Sequence, residues 1–281
     1  MDALVFSILL LASALLGGFL GSLTGLGGGI VLVPLMVLAF GVDLKYAVGA
    51  SLVAVIATSS GAAAAFVREG YTNVRVAVFL EVATVAGALV GAALAGLLPR
   101  EAIAIIFGLT ALYSAWGAAK PPAPAPPDPS PDALSTRLRL DSTYPTAHGM
   151  TPYRVHRIPG AFVVMIFAGA LSALVGVGAG ILKVLAMDRL MRLPFKVSTT
   201  TSNFMIGVTA AASAGVYFHR GQLEPALCGP VVLGALGGSL VGARVLPRIK
   251  TGTLRKIFAV LVALAGAELI RRALMGQLTP H

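Results

Sequence analysis

Two glycine clusters interrupt long apolar stretches of this chain: Gly25-Leu26-Gly27-Gly28-Gly29 and Gly176-Val177-Gly178-Ala179-Gly180. Glycine loses more backbone entropy than any other residue on entering a helix, so each cluster predicts a break. A new helix then begins near Ile30 and again near Ile181. A helix start leaves free N–H groups and a partial positive charge. With no Cβ in the way, a ligand can approach that backbone closely, and the concavity suits an oxyanion. Plain helix packing is the alternative, because small residues tighten contacts between membrane helices. Packing is the preferred reading for Gly87/Gly91 and Gly238/Gly242. The two central clusters are read as a binding site because they break over-long segments.

Other polar residues gather near the breaks. Lys183 lies three residues beyond Gly180, in the first turn of the second half-helix, where the helix dipole disfavours a cation. If buried it requires an acidic partner or an anionic ligand; otherwise it snorkels to the interface. Ser51, Thr58, Ser59 and Ser60 follow the first break, and Ser198 through Asn203 and Thr209 follow the second. Ser202 and Asn203 are candidate donors to ligand oxygens, although most membrane hydroxyls bond back to their own backbone. Glu81 stands inside an apolar run six residues past Arg75. Unpaired, it is a candidate proton carrier; the alternative is a structural pair with a basic residue. Glu268 is nearer a helix end and reads as interfacial. The candidate substrate-binding set is therefore Gly25, Gly27, Gly28, Gly29, Ser51, Gly178, Ala179, Gly180, Lys183, Ser202 and Asn203, with Glu81 as the proton-coupling candidate. No catalytic or metal-ligating pattern accompanies them. His148, His156 and His281 lie in polar segments, the single Cys228 can form no internal disulfide, and no cofactor is called for.

The elements that must hold these residues are membrane helices. Of 281 residues, 57% are hydrophobic and only 11% charged, with mean hydropathy +0.90. A soluble domain carries about 25% charged residues, so soluble enzymes, nucleic-acid binders and disulfide scaffolds are excluded. The period-two alternation of an outer-membrane barrel is absent. The net charge of +10 reads first as basic cytoplasmic loops. No Lys or Arg precedes the apolar run from Met1 to Leu16, which continues to Phe40, so it reads as a retained first helix rather than a leader. Apolar stretches cover residues 4–40, 46–67, 76–98, 102–118, 160–187, 197–218, 226–247 and 257–270. A span needs about 20 residues, so 4–40 and 160–187 are each too long for one straight helix. Residues 119–159 differ in character: seven prolines between Lys120 and Asp132, followed by Arg137, Arg139, Arg154 and Arg157, predict an irregular or polyproline linker.

The halves are related. An offset of 151 aligns 18–117 with 169–268 without a gap and gives 21 identical pairs in 100. About ten are expected from so biased a composition, so the positions matter more than the count. Gly25, Gly27, Gly29 and Ile30 meet Gly176, Gly178, Gly180 and Ile181; Lys45 and Ser51 meet Lys196 and Ser202; Lys183, however, meets Leu32. If each long stretch is a hairpin, 14 basic residues fall on one face of the membrane and 5 on the other; if each crosses once, the division is 9 against 10. The positive-inside rule selects the hairpin. Both termini then lie outside and the linker in the cytoplasm. The expected fold is an all-α polytopic membrane protein of two inverted repeats, 1–118 and 160–281, each a glycine-broken hairpin followed by three further helices.

At these residues the sequence resembles the TauE/SafE family of membrane anion exporters. The likeness is carried by both glycine clusters, Tyr153-Arg154-Val155, Ile181-Leu182-Lys183-Val184, and Lys196-Val197 leading to Thr201-Ser202-Asn203-Phe204-Met205-Ile206-Gly207. It spans nearly the whole chain outside the proline-rich core; the family often has glycine where Ala179 stands and proline at Leu185. The resemblance implies ion-gradient-coupled export of sulfite, an organosulfonate or a related small sulfur-containing anion across the bacterial inner membrane. The expected partners are that anion, inorganic or organic, and membrane lipid, with a second copy of the chain as candidate homodimer partner and no nucleic acid. The competing function is a membrane scaffold or assembly protein acting through its linker.

Overall fold

The computed structural model describes residues 3–24, 28–119, 132–146, 149–245 and 251–277. The first apolar stretch divides into α1 (Ala3–Thr24) and α2 (Gly29–Leu38), and α3 (Leu44–Arg68), α4 (Val74–Leu97) and α5 (Arg100–Ala119) complete the first half. The second half repeats the order. It runs α7 (Ile158–Val175), α8 (Gly180–Leu185) with a π-helical turn at Ala186–Leu190, then α9 (Phe195–His219), α10 (Pro225–Val245) and α11 (Thr251–Leu274). Between the halves lie α6 (Ala133–Leu138) and two strands, β1 (Ser142–Thr146) and β2 (Gly149–Tyr153). Among the described residues, five helices are long and apolar enough to cross a membrane: α1, α3, α4, α7 and α10. Large side chains such as Leu97, Phe218 and Leu233 are exposed, an arrangement that fits lipid rather than water.

Both long stretches double back. Phe6, early in α1, meets Phe40, just beyond α2, with ring centroids 5.6 Å apart. In the second half, the His156 N–H ahead of α7 donates to the Met191 carbonyl beyond the π-helical turn at 3.1 Å. The chain therefore returns to the end from which it started.

The packing that assembles the halves is reciprocal. α1 lies along α10, and α7 along α4. A Cβ on Gly238 would fall 2.0 Å from the Leu15 carbonyl oxygen, and one on Gly87 would fall 1.9 Å from that of Ile166. Gly18 likewise abuts Ala235, and Gly169 abuts Thr84. Each pair maps onto the other by the offset of 151. These glycines bring backbones into contact, as the packing reading holds.

Charged groups sort to two ends. Asp43 pairs with Arg100 at 2.9 Å, and Arg220 donates to the α4 carbonyls of Ala92 (2.5 Å) and Ala93 (3.1 Å). At the other end, Lys196 caps the Tyr71 ring at 3.9 Å, and Arg75 donates to the Arg139 carbonyl at 3.0 Å.

Two sequence expectations need correction here. The described part of the linker, from residue 132, is folded rather than irregular, and the fold is not wholly α because β1 and β2 pair antiparallel. The physical reason is local. Asp132 caps α6 by accepting from the Leu134 N–H at 2.9 Å, and Asp141 accepts from Ser135 Oγ and, at 2.8 Å, from the Val155 N–H. Leu140 and Val155 are buried in one apolar cluster with Val76, Met187, Met191 and Met205. Asn73 fastens this unit to the bundle. Its Oδ1 caps α4 at Val76 N (3.1 Å), while its Nδ2 donates to Leu140 O and Tyr153 Oη, both at 2.8 Å. Its own N–H reaches Thr201 Oγ1 on α9 at 3.0 Å. The proline-rich core, 120–131, lies outside the described residues.

Candidate functional site

The second break is fully described. α7 ends at Gly176 (φ +70°), and α8 starts after Ala179, itself left-handed at φ +46°. Gly178 is also left-handed, and a side chain there would strike Ile206 of α9. Of the first break, Gly25 and Gly27 lie outside the described residues, whereas Gly28 and Gly29 are placed. Gly28 is the α2 N-cap, and a Cβ on it would fall 2.9 Å from the Gly17 carbonyl of α1. Gly29 faces the opposite break: a Cβ there would lie 2.5 Å from both the Gly176 carbonyl oxygen and Ser51 Oγ. The two breaks therefore touch.

Hydroxyls stitch this contact. Ser51 Oγ donates to the Gly176 carbonyl at 2.6 Å, and Ser202 Oγ donates to the Gly180 carbonyl at 3.2 Å. The Gly176 carbonyl is released where α7 ends, and leaving it unpaired in an apolar interior would be costly; Ser202 ties α9 to the first residue of α8. Ser51 and Ser202 thus serve the shape of the breaks in this conformation.

Next to the breaks is a narrow crevice, too tight to seat a water molecule, lined among the described residues by Gly21, Ser22, Thr58, Ser59, Asn203 and Ile206. Its hydroxyls are engaged: Ser22 donates to Phe19 O (2.9 Å), Thr58 to Val55 O (3.0 Å), and Ser59 to the Asn203 carbonyl. Asn203 is different. It is 4% exposed, and its Nδ2 has no hydrogen-bond partner among the described residues. A buried unpaired amide donor is rare and carries a penalty of about 1–3 kcal/mol. Any acceptor oxygen would relieve it, a negatively charged one most strongly.

A second polar cluster lies deeper. Lys183 on α8 is fully buried, so it does not snorkel. Its Nζ donates to Thr209 Oγ1 of α9 at 2.5 Å, and that hydroxyl donates to Glu81 Oε1 of α4 at 2.6 Å, with the Met205 carbonyl 3.0 Å away. Glu81 Oε2 is buried without a partner. Lys183 and Glu81, read separately from sequence, meet through Thr209, whose part in the cluster sequence reasoning missed. The repeat equivalents of Lys183, Thr209 and Glu81 are Leu32, Thr58 and Val232, so this charge pair has no counterpart at the repeat-related positions. Lys183 does not line the crevice. Sequence reasoning also missed Ser22 and Asn73; the short Asn73-Val74 step from turn to apolar run was the available signal for the cap. Glu268 is paired with Arg271 (2.7 Å) and Arg272 (3.0 Å) near the end of α11.

Comparison with known proteins matches residues 10–269 to a family described as sulfite exporter TauE/SafE. Two relatives from Bacillus subtilis (strain 168) align over nearly their full lengths. One, named "Probable membrane transporter protein YunE", is 25% identical over 94% of this chain and 97% of its own. The other, named "Probable membrane transporter protein YjnA", is 24% identical over 94% of this chain and 100% of its own. Family and relatives alike are described as transporters rather than enzymes. No solved structure matches the chain.

Proposed function

We propose, because this chain belongs to the TauE/SafE sulfite exporter family of membrane transporters, that it exports a small sulfur-containing oxyanion, sulfite or an organosulfonate, through a site between its two helix breaks. The observation that carries the reading is the unpartnered Asn203 amide, buried in a crevice beside the touching breaks. An oxyanion seated there accepts from Asn203 Nδ2. It draws the Ser22 and Thr58 hydroxyls from the helix carbonyls they now serve, and it lies near the N-terminal end of α2. Because the crevice is too narrow in this conformation to seat an anion, the helices that line it, α1, α3 and α9, must part to admit one.

In this reading the two halves are inverted repeats related by a pseudo-two-fold axis. The exchanged helix contacts at the 151 offset, and the return of both hairpins, support it. The end carrying Arg68, Arg75, Lys196 and the folded linker faces the cytoplasm of a bacterial inner membrane, and both termini lie outside, because that end holds the larger share of basic residues. Transport is coupled to an ion gradient. The test is direct binding of sulfite and methanesulfonate to purified protein, wild type against Asn203→Leu. A charge-assisted hydrogen bond contributes about 1.5–3 kcal/mol, so affinity should fall by roughly ten- to a hundredfold. Unchanged affinity in Asn203→Leu removes the crevice from the transport path.

A further inference from the structure

The buried cluster of Lys183, Thr209 and Glu81 has features that a purely structural pair lacks. Its acid and cation are joined through the Thr209 hydroxyl rather than by direct ion-pair geometry, and the Thr84 hydroxyl is a second neighbour of the carboxylate. One carboxylate oxygen, Glu81 Oε2, is left unpaired. Its cation is carried on α8, the short helix that starts at the second break, while the acid and the hydroxyl belong to the long helices α4 and α9. We propose that this cluster is the proton site of the transporter and that one proton is taken up with each anion. The inference rests on the anion reading above and adds its coupling.

The argument is one of charge neutrality. With Glu81 ionised, Lys183 is balanced and the interior is neutral, so an added anion would be unbalanced. A proton arriving from bulk water bonds to Glu81 Oε2 and leaves Lys183 as an uncompensated buried ammonium. The interior then favours an anion. Thr209 and Asn203 stand six residues apart on α9, about 9 Å along the axis. At an effective dielectric near 20, unit charges at that separation alter each other's binding by about 20-fold. By linkage the anion holds the proton as firmly as the proton holds the anion. When the proton leaves on the far side, Glu81 reclaims the charge of Lys183 and the anion is released; anion and proton leave together, so the outward anion gradient drives export and an inward proton gradient opposes it.

The surroundings of Glu81 leave few competing groups. α7, packed along α4, carries no ionisable residue. α9 presents Thr209, with its ionisable side chains Lys196, Tyr217 and His219 toward its two ends. On α4 itself Arg75 is turned to the Arg139 carbonyl. On the π-helical turn beyond α8 stand Asp188 and Arg189, and the charge acting on Glu81 is that of Lys183.

The experiment measures protons exchanged on binding. Purified full-length protein in lightly buffered detergent solution is mixed with methanesulfonate, an anion with no proton of its own to give near neutrality. A pH-sensitive dye then records the change, from about pH 5 to 9, the range a buried carboxyl can span. The expected result is net proton uptake by the wild type and none by Glu81→Gln, with an affinity in that variant that no longer varies with pH. Binding without proton uptake across the whole range overturns the inference and leaves the anion reading intact. No binding of methanesulfonate or sulfite overturns the anion reading, and the inference falls with it. The wild-type count decides even where Glu81→Gln folds poorly. In that case Glu81→Gln/Lys183→Met, neutral at both positions, serves as the second variant: proton uptake persisting in it also overturns the proposal.

Discussion

Replacing Lys183 with methionine keeps much of the side-chain volume and removes the ammonium. Lys183 is fully buried and reaches Glu81 through Thr209, so its loss leaves a carboxylate in an apolar interior with its cation gone. Breaking one side of a buried pair costs about 3–5 kcal/mol, whereas replacing both partners is near neutral. Each partner left alone can neutralise itself, the acid by taking a proton and the amine by losing one, so both single losses should lie toward the lower end of that range. The double variant Lys183→Met/Glu81→Gln should lie within about 1–2 kcal/mol of wild type, so single losses of about 3 kcal/mol each imply a coupling energy of about 4 kcal/mol or more. Thermal unfolding of the four proteins in the same nanodiscs provides the cycle. The double variant should recover most of the Tm lost by Glu81→Gln. If the two losses add, the charges do not share a cluster and the geometry around Thr209 is wrong.

Three further outcomes follow from single contacts. Gly29→Ala puts a methyl 2.5 Å from both the Gly176 carbonyl and Ser51 Oγ; it should cost about 2–5 kcal/mol through overpacking and a lost hydrogen bond, read as a fall in Tm. Ala179→Gly relieves a left-handed alanine at φ +46° and should raise Tm, since that strain is about 1–2 kcal/mol; a lower Tm would show that the break is not shaped as described. Asn73→Ala removes the α4 cap and both anchors of the β-hairpin, a loss of roughly 2–4 kcal/mol. Limited trypsin digestion should then cut faster at Arg137 and Arg139, and an unchanged rate would show that Asn73 does not hold the linker.

Some of this was legible in the sequence. The breaks followed from two glycine clusters in over-long apolar runs, and the hairpins from the distribution of basic residues, 14 against 5, since a break alone leaves a single crossing open. The repeat offset named the glycines that later proved to be helix contacts, Gly87 and Gly238 among them. Pairings between distant segments were not legible. Glu81 and Lys183 stand 102 positions apart (183 − 81), and nothing local says that α4 and α8 face a common hydroxyl. The folded linker was hidden for a different reason. Its buried residues, Leu140 and Val155, are single apolar positions among polar ones, so no periodic signal marks them. Ser51 and Ser202 were visible as polar residues near the breaks, but which oxygen each serves depends on the tertiary meeting of Gly29 with Gly176.

Flux through the purified protein tests the central claim most directly. Proteoliposomes loaded in turn with sulfite, sulfate, thiosulfate, sulfoacetate and taurine would be diluted into anion-free buffer and the efflux followed against protein-free vesicles. The account expects saturable, protein-dependent efflux of sulfite or of a sulfonate, reduced at least tenfold in Asn203→Leu. Equal leakage of every anion from loaded and protein-free vesicles, with the protein shown to be folded and inserted, would contradict it.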